Sequence, residues 1–394
     1  MQVLHVVQGL GPESGGTTGA VSSLCGHLAR LGVGVTLLAG SRHGSAEPCP
    51  EADDGVRRAA FRNAGFAGLG GRSLRRALAQ FAPGSDLMHI HTLWNGASIH
   101  AGRYARRNGL PYLVTPHGML HRYCMRSSAW RKRLCWWLVE RKNLRHAAGI
   151  HFLNRAEQQG SALVSDLGTP AFVVPNGVDL EPFEDVRPNW LRSQHPSLSD
   201  RRVMLYLGRL HWIKGLDVQL EALGLLSERL GDLVWVLVGP DAGEWEGLRR
   251  RADGMGLVDR VLWLGPMHGR ERFDALAAAD VVVMTSFYEC HSLVVNEALA
   301  AGRPLVITES CNFSEVADAG AGLIVERAAP QVARAVAEVL EDPAKAAQMG
   351  EAGRRLARDD LDWERAAGRM AQVYERVLGG QPPVPTSARS VRLE

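Results

Sequence analysis

The sequence lacks a bilayer-length apolar run, a paired-cysteine motif and any large excess of charge, and each absence removes a class of function. A transmembrane helix needs about 18 or more consecutive apolar residues, and no segment supplies them. The opening residues, MQVLHVVQGLGPESGG, carry no basic leader ahead of an apolar stretch, so a cytoplasmic protein is expected, neither exported nor membrane-spanning. Six cysteines, at 25, 49, 124, 135, 290 and 311, form no C-x-x-C pair. They read as reduced thiols, and no metal site is expected. A net charge of +3 over 394 residues argues against a dedicated nucleic-acid binder, whose basic face would dominate the total.

What is present is the composition of a soluble globular protein, with 46% hydrophobic and 22% charged residues. The length exceeds one ordinary core, so two domains of roughly 150 to 200 residues are expected. Short β-branched runs alternate with helical patterns, which predicts parallel sheets with crossover helices. In the first half the strands are VLHVV (3–7), VGVTLLA (33–39), LMHIH (87–91), YLVT (112–115), GIHFL (149–153) and AFVVP (171–175). The order restarts with VMLYLG (203–208), LVWVLVG (233–239), VLWLG (261–265), VVVMTS (281–286) and PLVIT (304–308). Between the halves, residues 176–200 break both periods with prolines and polar side chains. The fold class expected is α/β, two doubly wound Rossmann-like domains facing each other across a cleft. The segment 366–378 reads as a last helix, and 379–394 as a flexible tail.

In open parallel sheets ligands bind beyond the carboxyl ends of the strands. Four strand-end loops there are unusual. The first, GLGPESGGTTGA, is glycine-rich and leads into a helix expected to start near Gly19, as a phosphate-approaching loop would. It departs from G-x-G-x-x-G at Ser14, and no acid follows the second strand, so a dinucleotide fingerprint is absent. The fourth strand ends in PHGML, which puts His117 at a strand mouth, either as a ligand-facing group or as a solvated one. GRLHWIKG carries Arg209 and Lys214 beside a helix start, a spacing suited to a diphosphate. FYECHSLVVNEALAAGRP places Glu289 in a loop and Glu297 about a turn inside a helix whose N-cap is expected to be Ser292.

Taken together, GG at 15–16, HG at 117–118, PNGVD at 175–179, GRLHWIKG at 208–215, E-x7-E from Glu289 to Glu297 and EALAAGRPLVIT at 297–308 resemble the family 4 nucleotide-sugar glycosyltransferases, which have the GT-B fold. The resemblance spans nearly the whole chain. It implies a retaining, metal-independent hexosyltransferase in polysaccharide or glycolipid synthesis, or one acting on a small-molecule acceptor. Residues 1–180 would bind the acceptor, with the 366–378 helix packed back on them, and 181–365 would bind the donor. The donor would be a nucleoside-diphosphate sugar, a UDP-sugar in preference to a GDP-sugar. Arg209 and Lys214 would neutralise the diphosphate, and Glu297 would accept from the ribose hydroxyls. Glu289 would touch the sugar, and backbone groups of Cys290, His291, Ser292 and Leu293 would hold its hydroxyls or phosphate. His117 would lie near the transferring sugar, and Gly15 and Gly16 would let the phosphates approach. DDLDWERAAGRM (359–370) looks like the family's C-terminal motif, in which Asp360 and Asp362 are structural and not metal-binding. Cys290 and His291 depart from the family's glycine and aromatic, which points to an altered donor-sugar preference.

The segment 121–146 holds eight arginines and lysines against the single acid Glu140, interleaved with Trp130, Trp136 and Trp137. It suits an anionic membrane surface. The tryptophans could equally be core and the arginines a solvated face or the acceptor's own anion site. Two other classes share the architecture: a periplasmic-type binding protein needs an export signal, and a nicotinamide dehydrogenase needs the ribose-binding acid.

Overall fold

Short, nearly continuous runs of Val, Ile and Leu are the pattern of strands buried on both faces, and such strands pair in parallel beneath helices. The structure, a computed structural model, describes residues 1–10, 16–41, 54–62, 71–126 and 128–383. It divides into two compact units, Met1–Gly177 with the segment from Trp363 onward, and Val178–Asp362.

The first unit contains a sheet of seven strands: β1 (Gln2–Val7), β2 (Gly34–Ser41), β3 (Arg57–Arg62), β4 (Leu87–His91), β5 (Tyr112–Thr115), β6 (Gly149–Phe152) and β7 (Ala171–Val173). Their order is β3-β2-β1-β4-β5-β6-β7, all parallel. The second unit contains six: β8 (Arg202–Leu207), β9 (Leu233–Val238), β10 (Val261–Trp263), β11 (Val281–Met284), β12 (Leu305–Thr308) and β13 (Gly322–Val325). Their order is β10-β9-β8-β11-β12-β13, again all parallel. Each unit is therefore the doubly wound α/β sheet that the sequence implies.

Two strands escape the sequence reading, β3 and β13, and both are sheet edges. An edge strand has one neighbour and less burial, so RRAAFR and GLIV show neither a long apolar run nor a clean alternation. Four helices carry the functional argument: α1 (Gly16–Arg30), α2 (Leu216–Leu226), α3 (Leu293–Ala300) and α4 (Trp363–Leu378). α1 begins three residues before the expected Gly19. α4 belongs to the first unit, where its Tyr374 hydroxyl lies 2.7 Å from His89 Nδ1 of β4.

The PNGVD motif has a packing role. Val178 N donates to Leu361 O at 2.7 Å, and Val178 pairs with Asp362 as an isolated bridge. Beside it a Cβ on Gly177 would sit 2.5 Å from Trp363 Cα, so only glycine fits where the two crossings of the chain meet.

Candidate functional site

The strand order of the second sheet reverses between β8 and β11, so the loops following those strands emerge side by side. After β8 the Tyr206 hydroxyl donates to Arg209 O at 2.9 Å, and His211 Nδ1 accepts from Ile213 N at 3.3 Å, closing the tight turn Trp212–Lys214. Gly215 then takes φ +63° and opens α2. A Cβ there would lie 2.2 Å from Thr285 O, so glycine permits the β8 loop to close on the end of β11. Thr285 Oγ1 donates to Gly215 O at 2.7 Å and fastens that contact.

This approach carries Lys214 to Glu289. Lys214 Nζ lies 2.5 Å from Glu289 Oε1, and Ser286 Oγ donates to the same oxygen at 2.6 Å. The backbone of Glu289 is fixed as well: its N–H donates to Ser310 O at 3.1 Å, and its carbonyl accepts from Asn312 Nδ2 at 2.7 Å. Arg209 is exposed, and its guanidinium has no partner among the described residues.

Ser292 occupies the N-cap position of α3, but its hydroxyl makes no cap bond and reaches Met284 Sδ at 3.7 Å. The first-turn N–H groups therefore lack the side-chain acceptor that a serine at this position normally supplies. Glu297, one turn on, is buried. Arg272 grips it with two guanidinium nitrogens, Nε donating to Oε2 at 3.1 Å and a second to Oε1. Burial lowers the Arg272 pKa, so this carboxylate is the countercharge of a partly desolvated cation. His291 packs its ring 4.8 Å from that of Phe313, and burial pushes its pKa down to about 3. The departure from an aromatic at 291 thus keeps a neutral ring in an aromatic environment, with an Nδ1 that has no hydrogen-bond partner among the described residues.

In the first unit His117 ends the β5 loop at φ +51°, a backbone region that non-glycine residues occupy at a cost of about 1 kcal/mol or more. Glu157 holds the turn, accepting from Gly118 N at 2.5 Å and Leu153 N at 2.8 Å. His117 Nε2 lies 3.1 Å from His91 Nδ1, and burial pushes the His117 pKa down to about 3. Gly15 falls outside the described residues. Gly16 starts α1, and a Cβ on it would meet nothing within 4 Å.

The matching families decide the reading. Residues 15–177 match the family described as Glycosyl transferase 4-like domain, and residues 190–356 match Glycosyl transferases group 1. The GDP-mannose-dependent alpha-(1-6)-phosphatidylinositol monomannoside mannosyltransferase of Mycolicibacterium smegmatis is 31% identical over 303 residues, covering 72% of this chain and 76% of the relative. The chain is a family 4 glycosyltransferase. Its fold is GT-B. Sucrose-phosphate synthase from Thermosynechococcus elongatus superposes with a TM-score of 0.82 at 21% identity, over 97% of this chain and 100% of that one. Anabaena Alr3699/HepE in complex with UDP-glucose superposes at 0.75 and 21% identity, over 95% and 99%.

Several residues around the transferase's strand-end loops are invisible to motif reading: Arg272, Ser286, Ser310 and Asn312. Arg272 and Asn312 bond residues more than twenty positions away. Ser286 ends the run VVVMTS, and its spacing of three from Glu289 is that of a turn contact. The group of metal-ligand type among the described residues is His5, His89 and His91, whose ring nitrogens lie within 4.8 Å of one another. It sits in the first unit.

Within 121–146, Arg122–Arg126 and the stretch from Ala129 to Arg145 are helical, with a π-helical turn at Trp136–Glu140. Trp136 is buried, but Trp130, Leu134, Trp137 and Leu138 are 67%, 54%, 67% and 69% exposed. These positions recur at i, i+4, i+7 and i+8, so they form one uncovered apolar stripe. Arg131 lies over the Trp130 ring and Arg141 over Trp137. Glu140 is fully buried, accepting from Trp94 N, Ser98 Oγ and Asn143 Nδ2. The lone acid of the segment therefore does not offset its surface charge. No helix among the described residues is long and apolar enough to cross a membrane.

Proposed function

We propose that the transferase moves a hexosyl group from a nucleoside-diphosphate sugar, a UDP-sugar in preference to a GDP-sugar, to a hydroxyl of a lipid-linked acceptor, with retention of configuration and without a metal. The observation that carries the donor half is the pairing of Lys214 with Glu289 where the second sheet reverses its order. There the exposed Arg209 and the uncapped start of α3 supply further positive potential for a diphosphate. The acceptor oxygen bonds to the anomeric carbon as the bond to the diphosphate breaks, and the acceptor proton passes to the departing phosphate oxygen. Lys214 and Arg209 stabilise the charge that grows on that oxygen. The nearby carboxylates are already held by cations, Glu289 by Lys214 and Glu297 by Arg272, which supports roles in binding and orientation over nucleophilic attack. Glu297 keeps free lone pairs beside Arg272 for the ribose hydroxyls. Glu289 and His117 are assigned to the transferring sugar. The HepE complex supports UDP, and the GDP-mannose of the mycolicibacterial relative makes the base a matter for assay.

Release of nucleoside diphosphate from UDP-, GDP- and ADP-sugars in excess EDTA tests this reading, and two variants separate the acids. Glu297→Ala should weaken binding of the bare diphosphate. Glu289→Ala should leave that affinity within about twofold while turnover falls about 100-fold, as expected of a contact that matters most in the transition state. Calorimetry with the diphosphate and steady-state kinetics read the two apart. Unchanged activity in both folded variants would return the carboxylates to structure.

The acceptor half rests on the exposed apolar stripe and the cations around it. Arg122, Arg126, Arg131, Arg133, Lys142 and Arg145 are all exposed. Each is worth about 1 kcal/mol at an anionic surface and is screened by salt. The phosphatidylinositol-based acceptor in the relative's name supports a lipid surface. Co-sedimentation with vesicles containing phosphatidylglycerol should succeed at low salt, fail at high salt, and weaken in Trp130→Ala/Trp137→Ala. Absence of binding at low salt would direct the search to a small soluble acceptor.

A further inference from the structure

The first sheet buries a line of polar side chains that the transfer chemistry does not use directly. Parallel register sets His5 of β1 beside His89 of β4, and His91 beside Thr115 of β5. His151 of β6 and Tyr374 of α4 complete the group, and all six are buried. Their contacts form one unbroken series. His151 Nε2 lies 2.8 Å from Val174 O, and His151 Nδ1 lies 2.8 Å from Thr115 Oγ1. Thr115 Oγ1 lies 2.6 Å from His89 Nε2, and His89 Nδ1 lies 2.7 Å from the Tyr374 hydroxyl. That hydroxyl lies 3.5 Å from His5 Nε2, His5 Nδ1 lies 3.0 Å from His91 Nε2, and His91 Nδ1 lies 3.1 Å from His117 Nε2.

A neutral imidazole offers one N–H and one lone pair, so a fixed acceptor at one end sets the direction of every bond in the series. Val174 O can only accept, so His151 carries its proton on Nε2 and accepts at Nδ1 from the Thr115 hydroxyl. Thr115 must then accept from His89 Nε2–H, which leaves His89 Nδ1 to accept from the Tyr374 hydroxyl. Tyr374 in turn accepts from His5 Nε2–H, His5 Nδ1 accepts from His91 Nε2–H, and His91 Nδ1 accepts from His117 Nε2–H. The series ends with a lone pair on His117 Nδ1, which has no partner among the described residues. Neutrality, the condition for this logic, is met: burial pushes His5 and His117 to about 3, His151 to about 4, and His89 and His91 well below the usual range.

We propose that this series is a tautomer lock, in which His151, Thr115, His89, Tyr374, His5 and His91 are positioning residues that hold His117 as its Nε2–H form and so present Nδ1 as the acceptor for a sugar hydroxyl. The last step rests on placing His117 at the transferring sugar; the lock itself does not. The same three histidines, His5, His89 and His91, have the spacing of a transition-metal site. A metal there would need lone pairs from nitrogens that the series already engages, and the hydrogen bonds close without one.

The test is long-range 1H–15N correlation of histidine rings in the full-length protein at neutral pH. Wild type should show His5, His89, His91, His117 and His151 each as a single Nε2–H tautomer. Thr115→Val removes the hydroxyl that passes the polarity on from His151, and should turn His117 into a mixture of tautomers while Thr115→Ser restores the single form. Tyr374→Phe should do the same from the middle of the series, so a folding failure in one variant leaves the other. In both, kcat should fall about tenfold, with diphosphate affinity unchanged. An Nδ1–H form or a charged ring at His117 in wild type, or one equivalent of transition metal retained through purification, overturns the lock. Scrambled tautomers with unchanged kcat uphold the lock and remove His117 from the sugar.

Discussion

Lys214→Ala is expected to slow transfer by about 100- to 1,000-fold, a loss of about 3 to 4 kcal/mol in the barrier, because it removes a preorganised charge from the departing diphosphate. The geometry makes the effect larger than that of a surface lysine. Lys214 Nζ is 2.5 Å from Glu289 and its side chain is only 20% exposed, so its rotamer is set before the donor arrives. The Glu289 side chain is 13% exposed. Without Lys214, its paired oxygen keeps the Ser286 hydroxyl but has lost its countercharge. Arg209→Ala should cost less, since that guanidinium is exposed and pairs with no other side chain among the described residues. The double variant Lys214→Ala/Glu289→Ala should then be far less impaired than the two single losses multiplied together, as residues that act as a unit are. Wild-type kinetics in Lys214→Ala would take it out of the chemistry.

The ends of the strands were the most legible part of this sequence, because fully buried parallel strands print as unbroken apolar runs and the ligand-facing loops follow them. GRLHWIKG and FYECH thus single out Lys214 and Glu289, and the fold shows that the two side chains meet. Side-chain partners were less accessible. Arg272 lies in RERFDALA, a helix with no motif value, and only the fold brings it to Glu297. Ser292 shows the limit of local rules: its position at the start of α3 was readable, but the turn of its hydroxyl toward Met284 depends on packing. The histidine series failed to register for a different reason. VLHVV, LMHIH and GIHFL each read as an ordinary strand, and nothing within a single strand says that its neighbour carries a histidine at the same depth. Register supplies that information, pairing His5 with His89 and His91 with Thr115. The signal available beforehand was the recurrence of histidine near the carboxyl ends of three separate strands, in a chain with fourteen histidines.

Acidification from pH 7 to pH 5 is expected to destabilise the first unit by about 6 kcal/mol or more, enough to unfold a domain of ordinary stability. His5 and His117 are held neutral down to about 3 and His151 down to about 4, because burial disfavours their charged forms. In the unfolded chain each would titrate near 6.5. Folded values below unfolded ones mean that the unfolded state binds more protons throughout the interval. Stability is therefore fully present above about pH 6.5 and is lost as pH falls through that value toward the folded ones. Each ring contributes about 1.4 kcal/mol per pH unit in the interval, or about 2 kcal/mol at pH 5, and three give the total above. His89 and His91, lowered by burial and by their neighbouring histidines, act in the same direction. The second unit has one comparable ring, His291, and should respond with a much shallower slope. Circular dichroism melts at a series of pH values should show the melting temperature collapsing between pH 6.5 and 5, and potentiometry should find several protons taken up on unfolding at pH 5.5. His151→Gln should lower that uptake by about one proton, because it removes one group whose titration differs between the two states. A melting temperature flat from pH 7 to 5 would mean that these rings are solvated or charged in the folded protein, and the hydrogen-bond polarity that depends on their neutrality would go with it.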